Sequence, residues 1–407
     1  MRRWTVMALL FSGILISYMD RGNLSIAAPV LMKEFGFGPA RMGVLLSAFF
    51  WTYSLFQIPA GYLVDRYGIR STYLAGLAVW SLASAAMGLV TGFWQMVALR
   101  MVLGFGEAIA PVASIAYIKR NFAEAEQGLP TAIYIGGALI GPAVGTFVGG
   151  QLVDPLGWRM LFVAIGLLGA LWLIPWAIWA PKETPARDTK SGAEQIPIPW
   201  LAAAATPLFW AVTFGAFFYS YYWYFILTWV PSYLVNELGY SNAKMGSVLG
   251  APLAVSAFTS LAAGAVADRV IRSTGWAPLT VRKGFVTVGF LLGCTIVWVA
   301  SLPRDAAVLP LFLLAMGGMG FGVSNYWALT HLVSPAPWIG RVLGYQNTVA
   351  QLAGVAAPIV TGILVGGEKR FGTAILLAGC SPLVAAVAIL AGLRERDVSR
   401  FQRSAER

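Results

Sequence analysis

The chain has 407 residues, of which 58% are hydrophobic and only 11% carry a charge. Soluble domains carry about 25% charged residues, so this composition excludes an ordinary soluble globular protein and indicates a polytopic helical membrane protein. The net charge of +11 does not indicate nucleic-acid binding, because the basic residues lie in short clusters between apolar stretches rather than on one face or tail.

Twelve apolar stretches, bounded by charged or Gly/Pro-rich turns, are long enough to cross a bilayer as helices. They cover residues 4–32, 40–64, 71–91, 93–118, 127–151, 157–180, 206–235, 241–267, 283–302, 306–331, 341–366 and 371–393. We therefore predict an all-α integral membrane protein with twelve transmembrane helices in two pseudo-symmetric six-helix bundles. The predicted parts are an N-terminal bundle over 1–181, a cytoplasmic linker over 182–205, and a C-terminal bundle with a short cytoplasmic tail over 206–407.

The distribution of basic residues predicts the orientation of these helices. If both termini are cytoplasmic, 19 of the 28 lysines and arginines fall in inner loops and tails, and seven fall in outer loops. Positive residues are retained on the cytoplasmic side of membrane proteins, so the sequence predicts cytoplasmic termini.

An internal repeat relates the two halves of the chain. Residues 34–43 match residues 237–246 at five of ten positions, an offset of 203 residues. The same offset carries Gly61, Asp65 and Arg66 onto Gly264, Asp268 and Arg269. Because each half has an even number of spans, the two copies have the same orientation, which is the plan of transporters with parallel repeats.

Four charged side chains lie deep in the predicted spans: Asp20, Arg21, Arg100 and Glu107. Each charge at a bilayer centre costs about 2.5 to 3.5 kcal/mol on insertion scales, so such residues face a cavity and mark a function. The cluster has no net charge, so a bound organic anion requires a proton on Asp20 or Glu107 as compensation. The alternative is a fixed ion-pair lattice that only joins helices one and four.

The loop over residues 61–70 resembles the signature sequence of the major facilitator superfamily, and residues 264–269 are its weaker copy. Its acidic and basic residues can act as a conformational latch at the cytoplasmic helix ends. The predicted latch residues are Gly61, Asp65, Arg66, Arg70, Asp268 and Arg269.

Within that superfamily, residues 20–25, 47–53, 57–61 and 100–108 resemble the anion:cation symporter family. That family includes bacterial sugar-acid/proton symporters and, more distantly, sialin and the vesicular glutamate transporters. The resemblance implies that Arg21 binds the substrate carboxylate and that Asp20 and Glu107 carry protons.

The resemblance also implies further substrate-binding residues in both halves, some of which can equally serve to hold helices together. These are Tyr53, Arg100, Ser324, Trp327 and Asn347, with Gln351 one helical turn beyond Asn347. One departure from the family pattern lies in the fifth span, which has no glutamine where galactonate-transporting members present one; Tyr134 is the candidate substitute.

We therefore expect a secondary transporter of the bacterial inner membrane, not an enzyme. It symports protons with a small organic anion by rocker-switch alternating access, and a sugar acid such as galactonate or glucarate is the expected substrate. The proton gradient supplies the energy, so no cofactor, metal or nucleic acid is expected, membrane lipid surrounds the helices, and a monomer suffices. The alternative is a proton-coupled exporter or antiporter of lipophilic or cationic compounds, which two buried arginines disfavour.

Overall fold

The computed structural model describes residues 2–181, 198, 200–301, 307–368 and 370–403, and every regular element in these ranges is helical. The N-terminal half contains α1 (Arg2–Phe35), α2 (Pro39–Tyr67), α3 (Ile69–Met87), α4 (Phe93–Glu107), α5 (Ile109–Asn121) and α6 (Gly128–Trp179). The C-terminal half contains α7 (Trp200–Ala204), α8 (Pro207–Ser232), α9 (Asn242–Thr274), α10 (Pro278–Gly293), α11 (Val308–Val333), α12 (Ile339–Glu368), α13 (Gly372–Gly392) and α14 (Glu395–Arg403). Shorter turns are Glu124–Glu126, Tyr233–Glu237, Cys294–Ala300 and Ala336–Trp338.

These helices confirm the twelve predicted spans, with differences in detail, and the ninth span continues beyond α10 as the turn Cys294–Ala300. The fourth span is divided between α4 and α5 by a break at Ala108. The fifth and sixth spans run together as the 52 residues of α6, which bends at Gly157, where φ is 74°. Glycine adopts this left-handed conformation at little cost, so a sharp bend replaces a separate loop. The seventh span ends in the π-helical turn Tyr233–Glu237.

The structure divides into two compact units. The first comprises Met1–Lys190, Leu227–Ala251 and Pro358–Lys369, and the second comprises Ser191–Ile226, Pro252–Ala357 and Arg370–Arg407. Most of the predicted linker lies outside the described residues, and α7 occupies part of its remainder. The predicted division into 1–181, 182–205 and 206–407 stays a prediction.

In the first unit, α1 lies against a ridge of glycines on α6. A Cβ atom at Gly145 would lie 2.8 Å from the Cα of Met19, and one at Gly141 would lie 2.6 Å from the Cβ of Tyr18. These distances are shorter than normal carbon contacts, so only glycine permits the approach. The ridge holds the centre of α1, which carries Asp20 and Arg21, directly against α6.

The first turns of α9 also belong to the first unit and pack on α6. A Cβ atom at Gly150 would lie 2.7 Å from the Cα of Gly246. At the end of this contact, the Asn242 side-chain amide donates a hydrogen bond to Asp154 Oδ1 at 2.6 Å. These residues lie at the helix ends that the charge distribution predicts to be outer.

Candidate functional site

The charged residues of α1 and α4 meet in the first unit. Arg21 Nε donates a hydrogen bond to Glu107 Oε2 at 2.6 Å. Ser17 Oγ, one turn earlier on α1, donates to the same oxygen at 2.7 Å. The Glu107 side chain is fully buried, while 14% of the Arg21 side chain remains exposed. This ion pair joins two of the predicted site residues, and Arg21 keeps a small part of its side chain exposed.

Asp20 is also fully buried, and its partner comes from a third helix. Ser84 Oγ on α3 donates a hydrogen bond to Asp20 Oδ1 at 2.8 Å. The second carboxylate oxygen, Oδ2, has no hydrogen-bond partner among the described residues. Sequence pattern alone does not indicate Ser84 or Ser17, because isolated serines are ordinary in membrane helices.

Three aromatic rings surround the Arg21 guanidinium. Its Cζ lies 4.7 Å from the ring centre of Tyr18, 4.8 Å from that of Phe49 and 4.4 Å from that of Tyr53. Each distance is within the range of a cation–π interaction, which is stronger away from water. The rings therefore hold the guanidinium in place independently of Glu107, and they bring the predicted residue Tyr53 into the cluster.

Arg100 also lies against the Phe49 ring, with its Cζ 5.4 Å from the ring centre. Only 4% of Arg100 is exposed. Its Nε and Nη1 have no hydrogen-bond partner within the described part of the chain, nor does Glu107 Oε1. Buried donors without partners are costly, so this guanidinium is chemically suited to receive an anion.

In the second unit, two of the predicted substrate-binding residues meet, together with Tyr224 of α8. Gln351 Nε2 donates to Asn347 Oδ1 at 3.4 Å, as their spacing of one turn predicts. The Tyr224 hydroxyl of α8 donates to Gln351 Oε1 at 3.0 Å. The repeat contained a signal for Tyr224, because the offset of 203 residues makes it the counterpart of Arg21.

Ser324 and Trp327 lie on α11, whereas Asn347 and Gln351 lie on α12. The Ser324 hydroxyl is buried beside Gly264 and has no hydrogen-bond partner among the described residues. Trp327 is half-buried, and its ring centre lies 5.8 Å from that of Tyr326. Their assignment to a substrate site stays a prediction, as does that of Tyr134, which is buried on α6.

The predicted latch residues have partners that the sequence did not indicate. Asp65 Oδ1 accepts a hydrogen bond from Arg120 Nη2 at 2.8 Å, and Asp268 Oδ1 accepts one from Arg282 Nη2 at 2.6 Å. Arg70 donates to the carbonyl of Ala177 near the end of α6. In each copy the aspartate thus pairs with an arginine of another helix, and the sequence-adjacent Arg66 and Arg269 are not those partners.

The chain was compared with known proteins. The family model for the Major Facilitator Superfamily matches residues 10–358. A hexuronate transporter of Bacillus subtilis strain 168 is 30% identical and covers 96% of this chain and 94% of its own length. The D-galactonate transporter of Escherichia coli O6:H1 is 30% identical, with coverage of 98% and 97%. A probable galactarate/D-glucarate transporter of Escherichia coli strain K12 is 31% identical, with coverage of 95% and 94%.

Solved structures share the fold. A bacterial homologue of the human lysosomal transporter Spinster, in an inward-facing and unoccupied conformation, aligns with a TM-score of 0.77 at 18% identity over 99% of this chain and 95% of that one. A D-xylose-proton symporter aligns with a TM-score of 0.75 at 15% identity over 96% and 98%. The predicted fold is thereby confirmed. The chain belongs to the major facilitator superfamily and is an integral membrane transporter rather than an enzyme.

Proposed function

We propose that this transporter is a proton-coupled symporter of a small organic anion, specifically a sugar acid of the hexonate or hexarate type. The observation that carries the proposal is the buried ion pair between Arg21 and Glu107, with Arg100 beside it. Relatives at about 30% identity are named for hexuronate, D-galactonate and galactarate/D-glucarate, which supports the substrate class.

The first step of the mechanism is competition for Arg21. While Glu107 is ionised, its carboxylate occupies Arg21 Nε at 2.6 Å and excludes a second carboxylate from that nitrogen. A proton on Glu107 removes its charge and weakens the pair. The three aromatic rings keep the guanidinium in position, so its two-nitrogen edge becomes available to a substrate carboxylate.

The second step is charge balance. Asp20, Arg21, Arg100 and Glu107 sum to zero when all are ionised, so a bound monoanion leaves one excess negative charge in a medium of low dielectric constant. One proton restores neutrality for a hexonate. A hexarate carries two carboxylates, and Asp20 is the acid that takes the second proton. Substrate and protons therefore bind together because either alone leaves an uncompensated buried charge.

Arg100 supplies a second anchor. Its unpartnered N–H groups can bind either a second oxygen of the carboxylate or a neighbouring hydroxyl of the sugar acid. Tyr224, Asn347 and Gln351 have both donor and acceptor atoms, as sugar hydroxyls do, and we assign them to hydroxyl recognition. The proposal includes insertion in a bacterial inner membrane with cytoplasmic termini and activity as a monomer.

The test is transport by the purified chain in proteoliposomes, with labelled hexonates, hexarates and hexuronates, simple dicarboxylates and lipophilic cations compared under one inward pH gradient. We expect accumulation of one or a few polyhydroxy acids, which an uncoupler abolishes. Transport of cations with no response to any anion would contradict the proposal and support the exporter.

A further inference from the structure

A groove of the first unit lies between α2, α3 and the α4–α5 pair, and its lining includes none of Asp20, Arg21, Arg100 and Glu107. It contains about 680 Å³ of empty space, part of it open to the surroundings. Apolar side chains dominate its lining, and they include Leu63, Ala75, Val79, Phe105 and Ile109. Such a groove in a membrane helix bundle suits a hydrocarbon chain rather than a polar solute.

The length of the groove matches one leaflet. Its α3 wall runs from Ser71 to Val79, which is about 12 Å of helix at 1.5 Å per residue. Half of the hydrocarbon core is about 15 Å thick, so the groove follows an acyl chain through most of one leaflet. Its floor contains Gly76, where a Cβ atom would lie 2.8 Å from the carbonyl oxygen of Gly106 and would separate α3 from α4.

A cation lies at the mouth of the groove. Tyr67 lines the mouth, and the neighbouring Arg66 places its Cζ 5.5 Å from the centre of that ring. Arg66 Nη1 donates to the Tyr62 hydroxyl at 2.7 Å. The adjacent carboxylate of Asp65 pairs instead with Arg120, and among the described residues no carboxylate forms a salt bridge with Arg66. Exposed guanidinium N–H groups therefore remain at the point where the groove reaches the predicted cytoplasmic surface.

We infer that this groove binds one anionic phospholipid of the cytoplasmic leaflet, with its phosphate on Arg66 and one acyl chain between α3 and α4. The phosphodiester has one negative charge, which matches the single guanidinium, and a guanidinium can bind phosphate through two parallel N–H groups. Tyr62 and Tyr67, which are 62% and 55% exposed, lie near the predicted cytoplasmic end of α2, and tyrosine is enriched at membrane–water interfaces. The site thus has separate elements for the head group and for the chain.

The test measures lipid binding to the purified full-length chain by native mass spectrometry. Phosphatidylglycerol and phosphatidylcholine with identical acyl chains are the two probes. We expect one phosphatidylglycerol to bind about tenfold more tightly than phosphatidylcholine, as one charge-assisted contact provides. Equal binding of the two lipids would overturn the inference.

Two variants separate the head group from the chain. Arg66→Gln should remove the preference for phosphatidylglycerol and leave a common weaker affinity. Ala75→Phe places a ring in the groove at an exposed position of α3 and should weaken binding of both lipids. The matched control is Ala164→Phe, at an exposed position on α6, which should bind as the unmodified chain does. An unchanged preference for phosphatidylglycerol in Arg66→Gln would contradict the assignment. Equal weakening of lipid binding by Ala75→Phe and Ala164→Phe would contradict it as well. The melting temperature of each variant reports whether it is folded.

Discussion

At the scale of single residues, the position of Arg21 is set by two kinds of contact. Glu107 holds it by charge, and Tyr18, Phe49 and Tyr53 hold it through their ring faces. A buried ion pair contributes little net stability, because desolvation offsets the attraction. The proposed function explains the arrangement better, since on that proposal a proton on Glu107 releases the guanidinium while the three rings keep it in position.

Arg21→Lys should weaken binding of the sugar acid by about tenfold or more, because a lysine keeps the charge but cannot bind a carboxylate through two parallel N–H groups. Arg21→Ala should abolish binding. Isothermal titration in detergent measures both. Arg159→Lys, at an exposed arginine of α6, is the matched control, and sugar-acid affinity retained in Arg21→Ala would remove Arg21 from the site.

Glu107→Gln imitates the protonated acid. It should keep exchange of external for internal sugar acid across the membrane, because Arg21 is then permanently released, and it should lose accumulation driven by a pH gradient. Paired counterflow and gradient-driven uptake assays distinguish the two. Gradient-driven accumulation at the unmodified rate would exclude Glu107 from proton coupling.

Sequence reasoning found the charged members of this site because a charge in an apolar span is unusual. It missed Ser17 and Ser84, which bind the two carboxylates, and the rings of Tyr18 and Phe49. Serines and aromatic residues occur throughout these helices, so their types carry no information. Only the packing of α1 against its neighbours identifies which of them face the charges.

At the scale of helices, the end of α1 is joined to the sixth span by Glu34. Its carboxylate accepts hydrogen bonds from Trp158 Nε1 and Arg159 Nη1, each at 2.6 Å. The hydrogen bond from Trp158 is the largest cause that lowers the pKa of the Glu34 carboxyl below its ordinary value, and the bond from Arg159 is the next largest. A lowered pKa in the folded protein means that this stabilisation is present above the pKa of the unfolded chain and is lost as the pH falls through the folded value.

Glu34→Gln should therefore lower stability at neutral pH, and its effect should shrink over the range in which the pH falls through the lowered pKa of Glu34, because the native carboxyl then becomes neutral as well. Both ionic partners are partly exposed, so we expect a loss of under about 1 kcal/mol. Thermal melting in detergent across this pH range measures it. Glu395→Gln on α14 is the control, and an equal loss at both ends of the range would contradict the electrostatic explanation.

The glycine contact between α6 and α9 predicts a larger effect. In Gly150→Val the new Cβ would meet Asn242 O and the Gly246 Cα, each at 2.7 Å. Overpacking costs about 1 to 3 kcal/mol, so this contact between α6 and α9 should become disfavoured and transport should slow by about tenfold. Gly136→Val, on the same helix with no atom within 4 Å of the added Cβ, is the matched control. Equal transport by the two variants would show that this contact does not limit the cycle.

The spans were predictable because hydropathy reports which segments prefer lipid. The bend at Gly157 and the break at Ala108 were not, because a backbone torsion depends on local packing. Gly157 is one of 45 glycines, and its residue type alone does not distinguish it from those that form packing ridges.

At the scale of the whole molecule, the repeat offset predicted two related bundles, and the fold of the superfamily confirms them. The composition of the first unit was not predictable, since it includes Leu227–Ala251 and Pro358–Lys369 from the C-terminal half. A transporter that alternates between conformations forms all of them from a single sequence. The sequence therefore specifies the helices, while the contacts between their ends depend on the state.

The central claim is that a neutral cluster of two acids and two arginines obliges an anion and a proton to bind together. The direct test is proton movement in proteoliposomes that enclose a pH-sensitive dye, with the membrane potential held at zero by potassium and valinomycin. Addition of a transported sugar acid outside should acidify the interior beyond passive leak, and Glu107→Gln should show only the leak. Uptake of the sugar acid without proton entry, or with proton exit, would contradict the account.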